Sequence, residues 1–195
     1  MELVLAEQQH EDQLIIACQR GDSKAAETLV DLFWARVYAF SYRLTFNADD
    51  AEDIAQETFL RAFSKIQSYK PKERFKSWLF RIATNLYVDQ KKAPRNKDVS
   101  INEKGQYTDV QESSDPQQKM GQKELLGALL DAMKTLTKEQ QVVILLRSIE
   151  RLDYPEIAAI LGVKESTARW HMYEARRILR QKLSRRFELE AFADE

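Results

Sequence analysis

The stretch YPEIAAILGVKESTARWHMYEARRIL, residues 154–179, decides the fold of the C-terminal part of the chain. Asp153 stands where a helix N-cap belongs, and Pro155 falls in the first turn, where a missing N–H costs little. The short apolar helix ends at Gly162, which accepts the left-handed backbone that closes a helix. The small Ala158 lets a second helix approach closely, and a longer basic helix follows over 165–186. This is the pattern of a helix-turn-helix, whose second helix enters the major groove of DNA.

That second helix divides into two faces. Ala168, Met172, Ala175, Leu179 and Leu183 recur at helical spacing and form the side to be buried. Arg169, Tyr173, Arg177 and Arg180 fall opposite, with Trp170 beside them. Arg169, Trp170 and Tyr173 lie near the N-terminal end, where base contacts are made, while Arg176, Arg177 and Arg180 suit phosphates. The competing reading is an amphipathic helix with a solvated basic face. His171 flanks the apolar stripe beside Ile178 and reads as a half-buried structural histidine.

Upstream, residues 11–20 read as a short helix stopped by Gly21, with Asp22 capping the next. Ala26, Leu29, Val30, Phe33, Val37, Phe40 and Leu44 give that helix a five-turn stripe, broken at Asn47. A third helix, with Asp50 as its cap, places Ala51, Ile54, Ala55, Phe59, Ala62, Phe63 and Ile66 on one face. QSYKPKER, 67–74, reads as a loop. FKSWLFRIATNLYVDQKK, 75–92, is a fourth helix with Phe75, Trp78, Leu79, Ile82, Ala83 and Leu86 inward. Its other side carries Lys76, Phe80, Tyr87 and Lys91, with Asn85 at the boundary. After it, Pro94, Gly105, Pro116 and Gly121 punctuate a segment with no apolar periodicity. Helices resume at roughly 123–135, 138–150, 154–161 and 165–186.

The expected fold is therefore all-α, with two small helical domains joined by a flexible linker. Residues 1–95 form a four-helix domain, 96–122 the linker, 123–187 the helix-turn-helix domain and 188–195 an acidic tail. With five Gly and four Pro in 195 residues, long helices fit better than a many-stranded sheet. Net charge is −1, but it is segregated. Residues 47–57 hold five acids and no base; 61–97 hold eleven bases against two acids, and 164–186 eight against two. Two basic blocks and one acidic block suit a nucleic-acid binder that also docks a protein partner.

Cys18 is the only cysteine, which excludes an internal disulfide. It reads as a small buried thiol; metal ligation with His10 is the alternative. The longest apolar run, VVILL at 142–146, is too short to span a bilayer. MELVLAEQQHED has no basic leader, so a reduced, cytoplasmic protein without membrane insertion is expected. No Ser–His–Asp set, phosphate-cradling Gly loop or metal cluster appears, so neither an enzyme nor a cofactor is expected.

At the residue level the chain resembles the extracytoplasmic-function sigma factors, the small class of bacterial RNA polymerase specificity subunits. The resemblance is carried by DAEDIAQETFLRAF (50–63), FKSWLFRIATNLYVDQKK (75–92), LTKEQQVVILLRSIERLDYPEIAAILGV (136–163) and EARRILRQKL (174–183), in order. It implies that the N-terminal domain melts and reads the minus-ten promoter element and that the C-terminal domain reads the minus-thirty-five element. It implies docking of Asp53, Gln56 and Glu57 on the clamp helices of core polymerase. It also implies capture of single-stranded promoter DNA by the loop 68–76, through Tyr69, Lys70, Lys72, Arg74 and Lys76, with Arg61, Asn85 and Asp89 facing the same strand. An anti-sigma factor is an implied partner.

The chain departs from the family at Asp89, where a carboxylate facing DNA repels phosphate yet can accept from a cytosine amino group. It departs again at Trp170, His171 and Glu174, where Ser, Arg and Arg are frequent, so an unusual upstream element is expected. An autonomous helix-turn-helix regulator is the alternative. It would need a ligand or phosphoacceptor domain, and the N-terminal half shows no strand–helix alternation to build a receiver. A bare helical adaptor is a further one.

Overall fold

A computed structural model describes residues 2–70, 74–89 and 116–187. Two compact units result, the first holding α1 to α4 and the second α5, α6, α8 and most of α7. Among the described residues there are eight α-helices and no strand, and no helix is long and apolar enough to cross a membrane. Lys72 and Lys91, residues 96–115 of the expected linker and the tail 188–195 lie outside the described residues.

In the first unit, α1 (Glu2–Gln19) is longer than the ten residues expected from the pattern. It closes on Gly21, at φ +89°, with the Asp22 N–H donating to the Ala17 carbonyl at 3.1 Å. The same Asp22 opens α2 (Ser23–Thr45), its Oδ1 accepting from the Lys24 and Ala25 N–H groups at 2.9 and 3.3 Å. One residue thus ends a helix and starts the next, which sets the α1–α2 turn. Cys18 is buried beside this turn. Burial foremost, and then Asp22, push its thiol above the usual range, so it stays a neutral packing group.

Buried Leu29, Phe33, Val37, Phe40 and Leu44 carry the α2 stripe as its spacing predicts. Phe46 takes left-handed backbone at φ 53° and ends the helix. The cap of α3 (Ala48–Lys65) is Asn47, not Asp50. Asn47 holds the extended backbone a cap requires, and its Oδ1 accepts from the Asp50 N–H at 3.0 Å, which places Asp50 inside the first turn. Asp49 and Asp50 there complement the helix dipole. Ala51, Ile54, Ala55, Thr58, Phe59 and Ala62 face inward, and a 3-10 turn, Ile66–Ser68, follows.

The fourth helix, α4 (Phe75–Asp89), is rotated from expectation. Phe80 and Tyr87, assigned to the outer side, are buried, whereas Trp78, Ile82 and Leu86 are only half-buried. The cause lies on α2. Phe40 meets Phe80 edge-on at 4.9 Å between ring centres, and Phe33 meets Phe75 edge-on at 5.5 Å. These contacts set which face of α4 turns inward. Trp78 instead stands at the margin, against Tyr69 and Phe75.

In the second unit, α5 (Pro116–Met133) starts seven residues earlier than expected, inside the segment read as linker. Pro116 occupies the first helical position, where its lack of an N–H is harmless, and good helix formers follow it. The α5–α6 turn is held by buried Gln141, whose Nε2 donates to the Met133 carbonyl at 2.9 Å. Thr137 and Gln140 form a reciprocal capping box at the start of α6 (Lys138–Ser148). Asp153 and Glu156 do the same for α7 (Tyr154–Leu161), with Asp153 Oδ1 accepting from the Glu156 N–H at 2.9 Å. Gly162, at φ +67°, closes α7, and the Val163 N–H donates to the Ala158 carbonyl at 3.0 Å. The final helix, α8 (Glu165–Phe187), lies on α5 and α6 with Ala168, Met172 and Ala175 buried.

These packing positions predict an order of damage. Phe80→Ala should destabilise the first unit by ~3–5 kcal/mol, and Trp78→Ala by clearly less. Urea denaturation of both variants checks this; a larger loss for Trp78→Ala would contradict the rotation of α4.

Candidate nucleic-acid interface

Burying Ala168, Met172 and Ala175 turns the opposite side of α8 to solvent. Arg169, Trp170, Tyr173, Arg176, Arg177 and Arg180 all lie exposed there. Trp170 and Tyr173 are 56% and 65% exposed, so two large aromatic side chains stand among the arginines on this face. His171 is half-buried, as its place beside the stripe predicts, and its ring stands edge-on to Trp170 at 5.1 Å.

Two of the arginines are already held. Arg169 donates through Nε and Nη2 to Glu165 Oε1, at 2.9 and 2.5 Å. Arg177 donates through Nε and Nη2 to Glu174 Oε2, at 3.1 and 2.9 Å, and this hydrogen bond raises its already high pKa further. Glu174, which departs from the pattern of the resembled family, thus partners a neighbouring arginine rather than leaving a bare negative charge on the face.

On α3 the acidic face is continuous. Asp53 and Gln56 are exposed, Gln56 Nε2 donates to Glu52 at 3.1 Å, and Arg61 Nε donates to Glu57 Oε1 at 2.7 Å. Arg61 was assigned with the minus-ten group and Glu57 with the polymerase group; the structure joins them as one i, i+4 pair. Leu60, which the charge pattern does not mark, is 67% exposed on this face. Its signal was available, since it falls three and seven residues after Glu57 and Asp53 and off the buried stripe.

Lys70 and Arg74 are exposed, and Lys76 is half-buried with its Nζ 5.9 Å from the centre of the Phe80 ring. Tyr69 is not a free stacking surface. It is buried, with its ring edge-on to Phe75 at 5.6 Å and 5.1 Å from Trp78. Its carbonyl accepts from Gln19 Nε2 at 3.1 Å, which ties the start of the loop to the end of α1. Asn85 and Asp89 are exposed one turn apart on α4.

Residues 29–96 match the family model described as Sigma-70 region 2, and residues 126–179 match Sigma-70, region 4. The chain is 39% identical over 152 residues to the ECF RNA polymerase sigma factor SigE of Mycolicibacterium smegmatis, covering 77% of this chain and 58% of that relative. It is 31% identical over 175 residues to the ECF RNA polymerase sigma factor SigW of Bacillus subtilis, covering 85% of this chain and 92% of that one. In fold it is similar to the sigma factor RpoE of Bartonella quintana, solved in complex with the anti-sigma factor NepR. That likeness has a TM-score of 0.64 at 24% identity, over 81% of this chain and 96% of that one.

The Arg61 and Glu57 side chains are 46% and 42% exposed, so their pair adds little to folding. Glu57→Ala should change stability by less than ~1 kcal/mol in a urea melt. A loss of several kcal/mol would make the pair a structural strut instead of a surface feature.

Proposed function

The chain belongs to the extracytoplasmic-function sigma factors, and we propose from this premise how its two units divide the work of promoter recognition. It binds core RNA polymerase and directs initiation at particular promoters. The single observation that carries this reading is the presence of both regions, in order, on two separately built helical units, with Asp53, Gln56, Lys70, Arg74, Asn85, Asp89 and the α8 candidates exposed.

The exposed acidic face of α3, with Asp53, Gln56 and Glu57 around Leu60, supports docking on the clamp helices of polymerase. An apolar centre within a charged rim suits a protein contact better than a DNA contact. Lys70, Arg74, Asn85 and Asp89 supply the minus-ten side, with Arg61 at its border with the docking face. Strand opening without ATP requires that unstacked bases be captured as they leave the duplex. Tyr69 contributes by anchoring the start of the loop, and the charged groups beyond it track the phosphates. On α8, Arg169, Trp170 and Tyr173 read bases of the minus-thirty-five element, and Arg176, Arg177 and Arg180 hold the backbone.

The chain supplies specificity and no bond-making chemistry, and it acts where polymerase and promoter meet, in the cytoplasm. An anti-sigma factor holds it inactive; this draws support from the Bartonella protein of similar fold, which was solved with one.

Run-off transcription with core polymerase on genomic promoter fragments tests the reading. Discrete transcripts that need both components are expected, and Arg169→Ala should weaken use of the upstream element by ~1–3 kcal/mol. A chain that co-purifies with core yet never directs initiation would overturn it.

A further inference from the structure

Arg169 is held from two sides. Glu165, one turn earlier on α8, takes its Nε–H and one Nη2–H. The ring of Tyr154, at the first position of α7, lies beneath its guanidinium, with Cζ 4.3 Å from the ring centre. Tyr154 is itself well placed. The Asp153–Glu156 capping box fixes the start of its helix. A second guanidinium, that of Arg147 on α6, lies 5.0 Å from the same ring while its Nη1 donates to the Leu152 carbonyl at 2.9 Å. Three helices therefore converge on one side chain.

The geometry decides which part of Arg169 is available. A guanidinium presents two hydrogen-bonding edges, and the Nε–Nη2 edge is taken by Glu165. The outer Nη1–Nη2 edge has no bond among the described residues. That outer edge can still donate two parallel N–H bonds, which the O6 and N7 acceptors of guanine accept in a bidentate contact. The Tyr154 face limits rotation of the guanidinium plane, and stacking on an aromatic face is a property of arginine that lysine does not share. Holding a side chain in its bound orientation beforehand removes much of the ordering cost of binding.

We propose that Tyr154 and Glu165 are positioning residues that present the outer edge of Arg169 to a guanine of the upstream promoter element, so that specificity there is set partly by residues that never touch DNA. This rests on the sigma-factor reading above. In that reading α7 and its preceding turn serve as the platform that aims the reader.

The test uses holoenzyme assembled from core polymerase and the full chain, on a promoter library randomised in the upstream hexamer. The quantity read is transcription from the selected hexamer relative to a scrambled one. Tyr154→Leu should lower that ratio about tenfold, within the range a lost arginine–guanine contact spans. Tyr154→Phe, which keeps the ring, should retain the ratio, and Tyr154→Leu should add nothing in an Arg169→Ala background. An unchanged ratio in Tyr154→Leu, or a loss that persists in the Arg169→Ala background, would overturn the proposal. Should wild-type holoenzyme transcribe no library member, the sigma-factor reading fails and the cradle is judged alone, by the Arg169 Nε–H resonance of the free chain. A signal protected from exchange in wild type and lost in Tyr154→Leu supports it; rapid exchange in both overturns it.

Discussion

Phe80 meets Phe40 edge-on at 4.9 Å, and the rotation of α4 follows from that contact. With Phe33, two turns earlier on α2, against Phe75, α2 offers α4 two fixed aromatic seats, and only one rotation fills both. The functional consequences follow from geometry. With residues 75, 79, 80, 83, 84 and 87 turned inward, Asn85 and Asp89 are left at the surface and Trp78 at the margin beside Tyr69. Tyr69 is held by the same packing, since its ring rests on Phe75 and its carbonyl is tied to Gln19.

The second unit solves a related problem with different means. Its reader helix needs one face dry and one face basic, and the small residues Ala168 and Ala175 with Met172 provide a narrow dry face on α5 and α6. Gly162 turns the chain tightly enough for α7 to sit beside the start of α8. The exposed side then concentrates positive charge. Glu165 and Glu174 each pair with an arginine there, which offsets self-repulsion and holds two guanidiniums in defined orientations. Both glutamates could be mistaken for flaws in a DNA-binding face; in this arrangement they order it.

Much of this was legible in the sequence where local rules suffice. The caps at Asp22 and Asp153, the turns at Gly21 and Gly162, and most of the stripes of α2, α3 and α8 depend on residues within a few positions of one another; Ala26, Val30, Phe63, Leu179 and Leu183 lie only half-buried at the stripe edges. The surface position of all six α8 candidates followed from helical spacing. The misses needed distant partners or a choice that spacing cannot make. Trp78 and Phe80 lie on adjacent parts of the same helix, and either stripe is periodic; the choice was made by Phe40, forty residues earlier. Tyr69 looked exposed because its neighbours are polar, but its ring is claimed by the helix that follows the loop. Pro116 was read as a breaker although a helix's first position welcomes it. The stacking of Arg169 on Tyr154 joins residues on different helices across the glycine turn, which no single-helix pattern displays.

Two helical units, presented together by core polymerase, recognise and open one promoter. Permanganate footprinting of a promoter fragment tests this most directly. With core polymerase and the full chain together, thymines near the minus-ten element should become reactive without ATP, with neither component sufficient alone. Equal reactivity with core polymerase alone, or opening by the chain without polymerase, would rule out this division of labour.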